Sequence, residues 1–209
     1  MLKTQSRKSY MKDYYLQHQT RVKHLSKVYY ERNRTRISQV RKEIYLKLRK
    51  EVLEMLGNKC AHCQEAETSI LHIDHKYGDG YSERRIFGSL FRLRKVKEQS
   101  SLYQLLCPNC NWKKRHAKNE IKNPPSKNCI QLREEILGLL GNHCEKCSNS
   151  QKECWHIHHL EGRGTQDRKQ SRTQEAYYLK VLTSIKTQEK KYSLLCANCH
   201  EKERLRLQC

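Results

Sequence analysis

The chain has 209 residues and a net charge of +21, from 43 basic and 22 acidic side chains. Its mean hydropathy of −1.00 and hydrophobic fraction of 36% argue against one large core and favour two small domains. No apolar run is long enough for a signal peptide or a membrane span. The charge favours a polyanionic partner, most commonly nucleic acid, over a merely soluble surface.

The first 47 residues predict a basic helical arm. They contain no Gly or Pro, and their 13 Lys/Arg against 3 Asp/Glu contribute +10 of the net charge. The arm repeats with an offset of 15, "YYLQHQTRV" matching "YYERNRTRI", which places Arg21 and Arg36 at equivalent positions. We expect both arginines to contact the phosphates of a nucleic acid. The alternative is a solvated helix whose tyrosine pairs pack on a neighbouring protein surface.

A longer repeat follows the arm and indicates an internal duplication. The segment "LRKEVLEMLGNKCAHC" at 48–63 matches "LREEILGLLGNHCEKC" at 132–147, and each predicts a helix that ends at Gly. Further on, "YQLLCPNCN" at 103–111 matches "YSLLCANCH" at 192–200. These matches predict an arm at 1–47, a first copy at 48–118, a proline-containing linker at 119–131 and a second copy at 132–209.

The 11 cysteines fall mostly in Cys-x2-Cys pairs, two pairs in each copy. Four thiolates bind Zn²⁺ tetrahedrally, and such closed sites are structural, so we expect two structural zinc ions. A disulfide framework is the alternative, but this pairing is typical of a reducing intracellular compartment, the cytoplasm or nucleoid or nucleus, with an organelle left open. The predicted zinc ligands are Cys60, Cys63, Cys107 and Cys110 in the first copy and Cys144, Cys147, Cys196 and Cys199 in the second.

Polar residues end an apolar strand in the stretch "LHIDHKYGDG". Asp74 and His75 come last, and the glycines after them permit a tight turn and a close approach of the backbone to a ligand. Asn111 directly follows the last cysteine of the first copy, so a metal there would bring it towards Asp74. Oxygen ligands suit Mg²⁺, and His75 beside it suits a general base.

The second copy places His158, His159 and His200 at the equivalent positions. Two imidazole ligands suit a softer divalent ion than Mg²⁺. Basic pairs follow the glycines in both copies, and they predict either a phosphate clamp or a solvated run of charge. These pairs are Arg84 with Arg85 and Arg168 with Lys169.

The first copy, through "IDHKYGDG" and "YQLLCPNCNWKK", resembles the HNH nucleases of the ββα-metal class. It is most similar to the zinc-stapled branch typified by phage recombination endonuclease VII. The resemblance implies an α+β fold of two tandem small zinc-stapled ββα-metal domains preceded by the basic helical arm. One position departs from the pattern, because Leu102 and Lys191 stand where many HNH proteins carry an asparagine.

The resemblance also implies roles for the candidate residues. In the first copy His75 would be the general base, with Asp74 and Asn111 holding the catalytic metal. In the second copy His159 would be the base, and the residues on the metal would be His158 and His200. Trp112 is expected to pack its own helix against the zinc knuckle.

The sequence therefore predicts a metal-dependent HNH endonuclease that hydrolyses the phosphodiester bonds of nucleic acid, with DNA favoured over RNA. Its cofactors would be two structural zinc ions and a catalytic Mg²⁺ or another divalent ion. The alternative is a non-catalytic zinc-containing protein that binds DNA or RNA, including a ribonucleoprotein component. The specificity, the active copy, the biological role and the oligomeric state stay open at this level.

Overall fold

The computed structural model describes residues 6–78, 88–117, 125–162 and 164–206, and these combine helices with two small sheets. The mixed α and β architecture predicted from the sequence is confirmed. The first half contains α1 (Arg7–Gln17), α2 (Gln19–Met55), β1 (His72–His75), α3 (Ser89–Glu98), β2 (Tyr103–Leu106) and α4 (Pro108–Ala117). The second half contains α5 (Lys127–Leu139), β3 (Trp155–His159), α6 (Gly164–Gln170), α7 (Gln174–Lys186), β4 (Tyr192–Cys196) and α8 (Ala197–Arg206).

The predicted arm is helical in the described residues. Helix α2 runs for 37 residues through the proposed boundary at position 47, so the arm and the first copy share one helix. No residue of α1 is buried, and in α2 only Val52 and Leu53 are. A strongly polar helix without an apolar stripe has nothing to bury, which explains why the arm stays exposed until its last turns.

The helices that open the two copies end with the same hydrogen bonds. Asn58 N donates to Leu53 O at 2.9 Å, and in the second copy Asn142 N donates to Leu137 O at 3.1 Å. Each bond spans a glycine of positive φ, +92° at Gly57 in the first copy, a conformation that costs a residue with a Cβ more than it costs glycine. This is the Schellman arrangement that the two "LGN" stretches predict.

Each copy carries one antiparallel two-stranded sheet. In the first, β1 pairs with β2 so that Ile73 lies opposite Leu105, and in the second, β3 pairs with β4 so that Ile157 lies opposite Leu194. The sheets pack against the preceding helices, with Leu53, Leu71, Leu105 and Leu106 forming the first core around the cysteines. The second copy has a core cluster with more aromatic residues, formed by Ile136, Tyr177, Tyr178, Val181, Leu182, Tyr192 and Cys129.

The two copies contact each other through the turns between their last cysteines. Asn109 N donates to Asn198 Oδ1 at 2.9 Å, and Asn198 N donates to Asn109 Oδ1 at 3.1 Å. Because these asparagines occupy equivalent positions in the duplication, the contact is reciprocal, as in a two-fold dimer. An ion pair of 2.8 Å between Lys202 of α8 and Glu67 of the first copy adds to it.

Two further sequence predictions concern the chain as a whole. Helix α5 begins at Lys127, inside the segment 119–131 that was predicted as a linker, and residues 118–124 lie outside the described residues. Within the described ranges, no helix combines the length and the apolar character that crossing a membrane requires.

Candidate metal centres and clefts

The two predicted sets of four cysteines each come together in space. Within each set the Sγ atoms all lie within 4.8 Å of one another. The Sγ atoms of Cys63 and Cys107 are 3.5 Å apart, and those of Cys147 and Cys196 are 3.7 Å apart. A tetrahedral ion with metal–sulfur bonds of about 2.3 Å places its sulfurs about 3.8 Å apart, close to these distances. All cysteines in the described ranges are free thiols, so the clusters are not disulfides.

The electrostatics of the first cluster fit a divalent cation. Burial raises the pKa of Cys107 to about 11, and burial together with Cys107 raises the pKa of Cys110 further. Burial also raises the pKa of Cys60, but backbone hydrogen bonds outweigh it and lower that pKa to about 7. Four thiols in one buried place cannot all ionise against their mutual repulsion unless a cation is among them.

In the first copy, a lysine lies at the predicted magnesium ligand. Lys114 Nζ is 2.6 Å from Asp74 Oδ2 and also bonds the carbonyl of His75, while Gln104 Nε2 donates to the same Asp74 oxygen at 2.9 Å. The Lys114 side chain is only 9% exposed. An ammonium group therefore pairs with one oxygen of the carboxylate that was predicted to hold a metal. The sequence analysis missed this lysine, which α4 places one turn after Asn111.

Asn111 lies against a histidine of β1 rather than joining Asp74 in a hydrogen bond. Its Nδ2 is 3.5 Å from His72 Nδ1, and His72 had not been given a role from the sequence. The ring of His75, on the other face of β1, packs on Tyr103 with 4.6 Å between ring centroids. The structure thus places the first-copy residues near one another without arranging them as a ligand set.

In the second copy, the three predicted histidines line one cleft of about 600 Å³. The rings of His158 and His200 lie edge to face, with centroids 5.4 Å apart. His159 stands at the end of β3 and is 9% exposed. Arg168 of α6 lines the same cleft, with its guanidinium 5.5 Å from the ring of Tyr177. The second copy therefore has three imidazoles and a guanidinium on the walls of one open cleft.

A carboxylate stands behind His159. The Nε2 atom of His159 lies 3.3 Å from Asp167 Oδ2, although the pair lacks the angles of a well-formed hydrogen bond. Lys180 Nζ donates to Asp167 Oδ1 at 2.8 Å and holds the pKa of this carboxyl low. Burial lowers the pKa of His159, which Asp167 partly opposes, so the ring is neutral near neutral pH and able to accept a proton.

Sequence analysis missed Asp167, yet a signal for it exists. An acidic residue directly precedes the basic pair in both copies, as Glu83 in "ERR" and as Asp167 in "DRK". Glu83 lies outside the described residues. The basic pairs were singled out from the sequence, and the acidic residue that precedes each of them was not.

The glycines after the strand have distinct reasons in the second copy. Gly162 has a φ of +71°, which the turn after β3 requires. At Gly164, a Cβ atom would lie 2.9 Å from Nδ1 of His159, which is closer than real Cβ contacts allow. The backbone of Gly164 therefore lies directly against the imidazole of His159.

Main-chain bonds anchor the turn after each strand where many HNH proteins use an asparagine. Lys76 N donates to Leu102 O at 3.0 Å in the first copy, and Leu160 N donates to Lys191 O at 3.0 Å in the second. Since a carbonyl serves equally well whatever the side chain, the departure at these two positions leaves the turn supported.

The remaining predictions concern exposed or aromatic residues. Arg21 and Arg36 are exposed on α2, and Lys169 is exposed on α6. Arg84 and Arg85 lie outside the described residues. Trp112 was expected to pack its helix against the zinc knuckle, and its ring meets His156 of the second copy edge-on at 5.1 Å.

Comparisons with models of known families, with curated proteins and with solved structures give no match. The structure itself defines a pair of small α and β units, each with a four-cysteine cluster at the junction of its last strand and helix. The HNH resemblance therefore stays a prediction from the motif residues.

Proposed function

We propose that the chain is a metal-dependent HNH-type endonuclease, present as a tandem duplication, whose catalytic site is the cleft of the second copy. The observation that carries this proposal is the meeting of His158, His159 and His200 with Arg168 in one cleft. The two four-cysteine clusters serve as structural zinc sites, since small polar domains with little core need such a constraint. The net charge of +21 supports nucleic acid as the substrate, with DNA favoured.

The residues of the cleft divide the work of phosphodiester hydrolysis. His158 and His200 would hold a divalent ion, which when bound stabilises negative charge on the scissile phosphate. Because Nε2 of His159 faces Asp167, Nδ1 is the nitrogen that takes the proton from the attacking water. Arg168 offers a guanidinium to the phosphate oxygens, for which its planar fork is well shaped. By the family resemblance, the products carry a 5′ phosphate and a 3′ hydroxyl.

The first copy is assigned a binding role. Asp74, the carboxylate predicted to hold its metal, is paired with the buried ammonium of Lys114 at 2.6 Å. A metal would have to displace that ion pair, and breaking a buried pair by removing one partner costs roughly 3–5 kcal/mol. In the second copy, no lysine takes this position, because the residue equivalent to Lys114 is Glu203.

A second candidate function is a non-catalytic zinc protein that binds nucleic acid. It is favoured by one observation: among the described residues, only the two four-cysteine groups bring three or more ligand atoms together. Two histidines in a cleft bind a metal more weakly than a closed set of four ligands does. The charge and the arm serve this function as well as they serve a nuclease.

Cleavage of supercoiled plasmid and of branched duplexes, with Mg²⁺, Mn²⁺ or Ni²⁺ and with EDTA as the metal-free control, tests the proposal. His159→Ala should lower the cleavage rate by roughly 10²–10⁴-fold, the usual contribution of a positioned general base. His75→Ala, at the equivalent position of the first copy, is the matched control and should keep most of the activity. The reverse pattern would move the catalytic site to the first copy, and a wild type that cleaves no single-stranded, duplex or branched substrate would leave the binding function.

A further inference from the structure

A second cleft, of about 420 Å³, lies between the two copies. The first copy contributes His72 and His75 of β1 and Arg92 of α3 to its walls. The second copy contributes Glu201 and Arg204, both from α8. The cleft is therefore built by both copies, and the reciprocal contact between the two knuckles is what brings α8 to the first copy.

Arg92 brings to this cleft a side-chain donor without a partner among the described residues. Its Nε is buried and makes no hydrogen bond within the part of the chain that the structure describes. A buried donor left without a partner costs about 1–3 kcal/mol, and more when the group is charged, so such a group calls for a ligand. The guanidinium of arginine matches a phosphate, to which it can donate two parallel hydrogen bonds.

The backbone around Arg92 favours an anion as well. Arg92 stands in the first turn of α3, and Ser89 at the start of that helix also lines the cleft. Gly88 precedes the helix, and no side-chain cap is formed at this N-terminus within the described residues. The N-terminal end of a helix carries a partial positive charge and directs its first backbone N–H groups outward, which attracts phosphates.

Arg204 adds a charge from the second copy. It donates from Nε to Glu201 Oε2 at 2.8 Å, and this pairing neutralises the one carboxylate on the described walls of the cleft. With Arg49 and Arg92 the walls carry three guanidinium groups and one carboxylate, a net charge of +2. Arg49 is already used within the fold, donating to Leu71 O at 2.8 Å. Arg204 uses Nε and Nη2 for Glu201, so a phosphate would meet it at Nη1, beside the guanidinium of Arg92.

We propose that this cleft binds a backbone phosphate of the nucleic acid, and that Arg92 of the first copy and Arg204 of the second hold it together. This inference rests on the proposed function only in taking nucleic acid as the partner. It gives the first copy a docking role, since its Asp74 is paired with Lys114. It also explains why the duplicated halves are packed together, because each half alone lacks one of the two arginines.

The test measures affinity in the full chain carrying His159→Ala, so that the substrate stays intact. Binding of a fluorescent duplex is followed by anisotropy over a series of KCl concentrations in EDTA. Arg92→Gln and Arg204→Gln should each weaken binding and lower the slope of log K against log[KCl] by up to about 0.9, the value for one phosphate contact on B-DNA. Arg94→Gln on α3 and Arg206→Gln on α8 remove the same charge from positions that do not line the cleft, and they should leave the slope unchanged. Equal slopes in test and control variants would overturn the proposal.

The double variant tests whether the two arginines act together. If both contact one phosphate, the combined loss in affinity will differ from the product of the single losses. Strict additivity would mean that Arg204 serves the catalytic cleft, which it also lines, and would overturn the composite site. Zinc content and melting temperature, measured on every variant, show that the chain is folded.

Inorganic phosphate provides the last comparison. The His159→Ala chain without further changes is the parent of these variants. If inorganic phosphate stabilises the parent but not the Arg92→Gln variant, while both bind duplex equally, the cleft binds free phosphate and the proposal for nucleic acid fails. If the parent binds duplex through Arg92 but the wild-type chain cleaves no substrate, the nuclease function is refuted and this inference stands. A parent that binds neither DNA nor RNA would refute both.

Discussion

Adding a single methyl group at Gly164 should disable the catalytic cleft by displacing one ring. The new Cβ would lie 2.9 Å from Nδ1 of His159 and 3.2 Å from its Cε1, whereas ordinary contacts begin at 3.4 Å. The imidazole must therefore move by about 0.5 Å or more, the difference between 3.4 and 2.9 Å. Catalytic groups need to be held within about 0.5 Å, and a misplacement of 1 Å can cost about 10²-fold, so we expect a loss of roughly 10–10²-fold in Gly164→Ala.

The assay is the initial rate of plasmid nicking at saturating divalent metal, with duplex affinity in EDTA measured beside it. Affinity should hold, because Gly164→Ala changes no charge. Gly138→Ala is the matched control: it lies inside α5, its φ is ordinary, and a methyl group added there would meet no heavy atom within 4 Å. That variant should keep the wild-type rate. Its free energy of unfolding should rise by roughly 0.5–1 kcal/mol, because alanine forms helix better than glycine.

The reasoning is refuted if the Gly164→Ala variant is folded, binds DNA normally and cleaves at the wild-type rate. His159 would then not be the base in the position the structure gives it. If Gly164→Ala instead loses its melting transition, Asp167→Asn disturbs the same ring from its Nε2 side without adding a Cβ, and it should lower the rate without unfolding the chain.

Two other predictions concern the clusters and the arm. The purified chain should contain about two zinc ions, the number that two four-thiolate sites imply, and Cys63→Ser should lower this to about one. Cys63 is exposed, so little packing is lost, while Cys129→Ser, outside the clusters, should keep both ions; a folded chain without zinc would refute the architecture. Deleting residues 1–40 removes ten Lys/Arg and two Asp/Glu, a charge of +8, but keeps Tyr45 and Leu48 in their core. DNA affinity should fall and its salt dependence should flatten, and an unchanged salt slope would show that the arm makes no phosphate contacts.

The features that could be predicted from the sequence are those set by nearby residues. A helix without Gly or Pro, a stop at "LGN" and a Cys-x2-Cys turn each depend on a few consecutive positions, so the arm, the Gly57 cap and the cysteine sets were found correctly. The duplication reinforced them, because each pattern occurs twice. The histidines of the second copy were found for the same reason, since their spacing follows that of the first.

Contacts between distant segments could not be predicted in this way. Lys114 reaches Asp74 across 40 positions, and Trp112 crosses to the other copy. In a chain with 43 basic side chains, nothing local marks the one lysine that is buried against a carboxylate.

The sequence by itself determined the parts of this protein: a basic helix, two copies of a small cysteine-clustered unit, and the residue types that each cleft contains. Only the tertiary structure decided that the predicted ligand Asp74 of the first copy has a lysine against it. The physical reason is that an aspartate can be a metal ligand or a salt-bridge partner. Packing decides between the two roles by placing either open space or a cation beside the carboxylate. The packing of the copies against each other, through Asn109 and Asn198, likewise decided that Arg204 faces the first copy as well as its own.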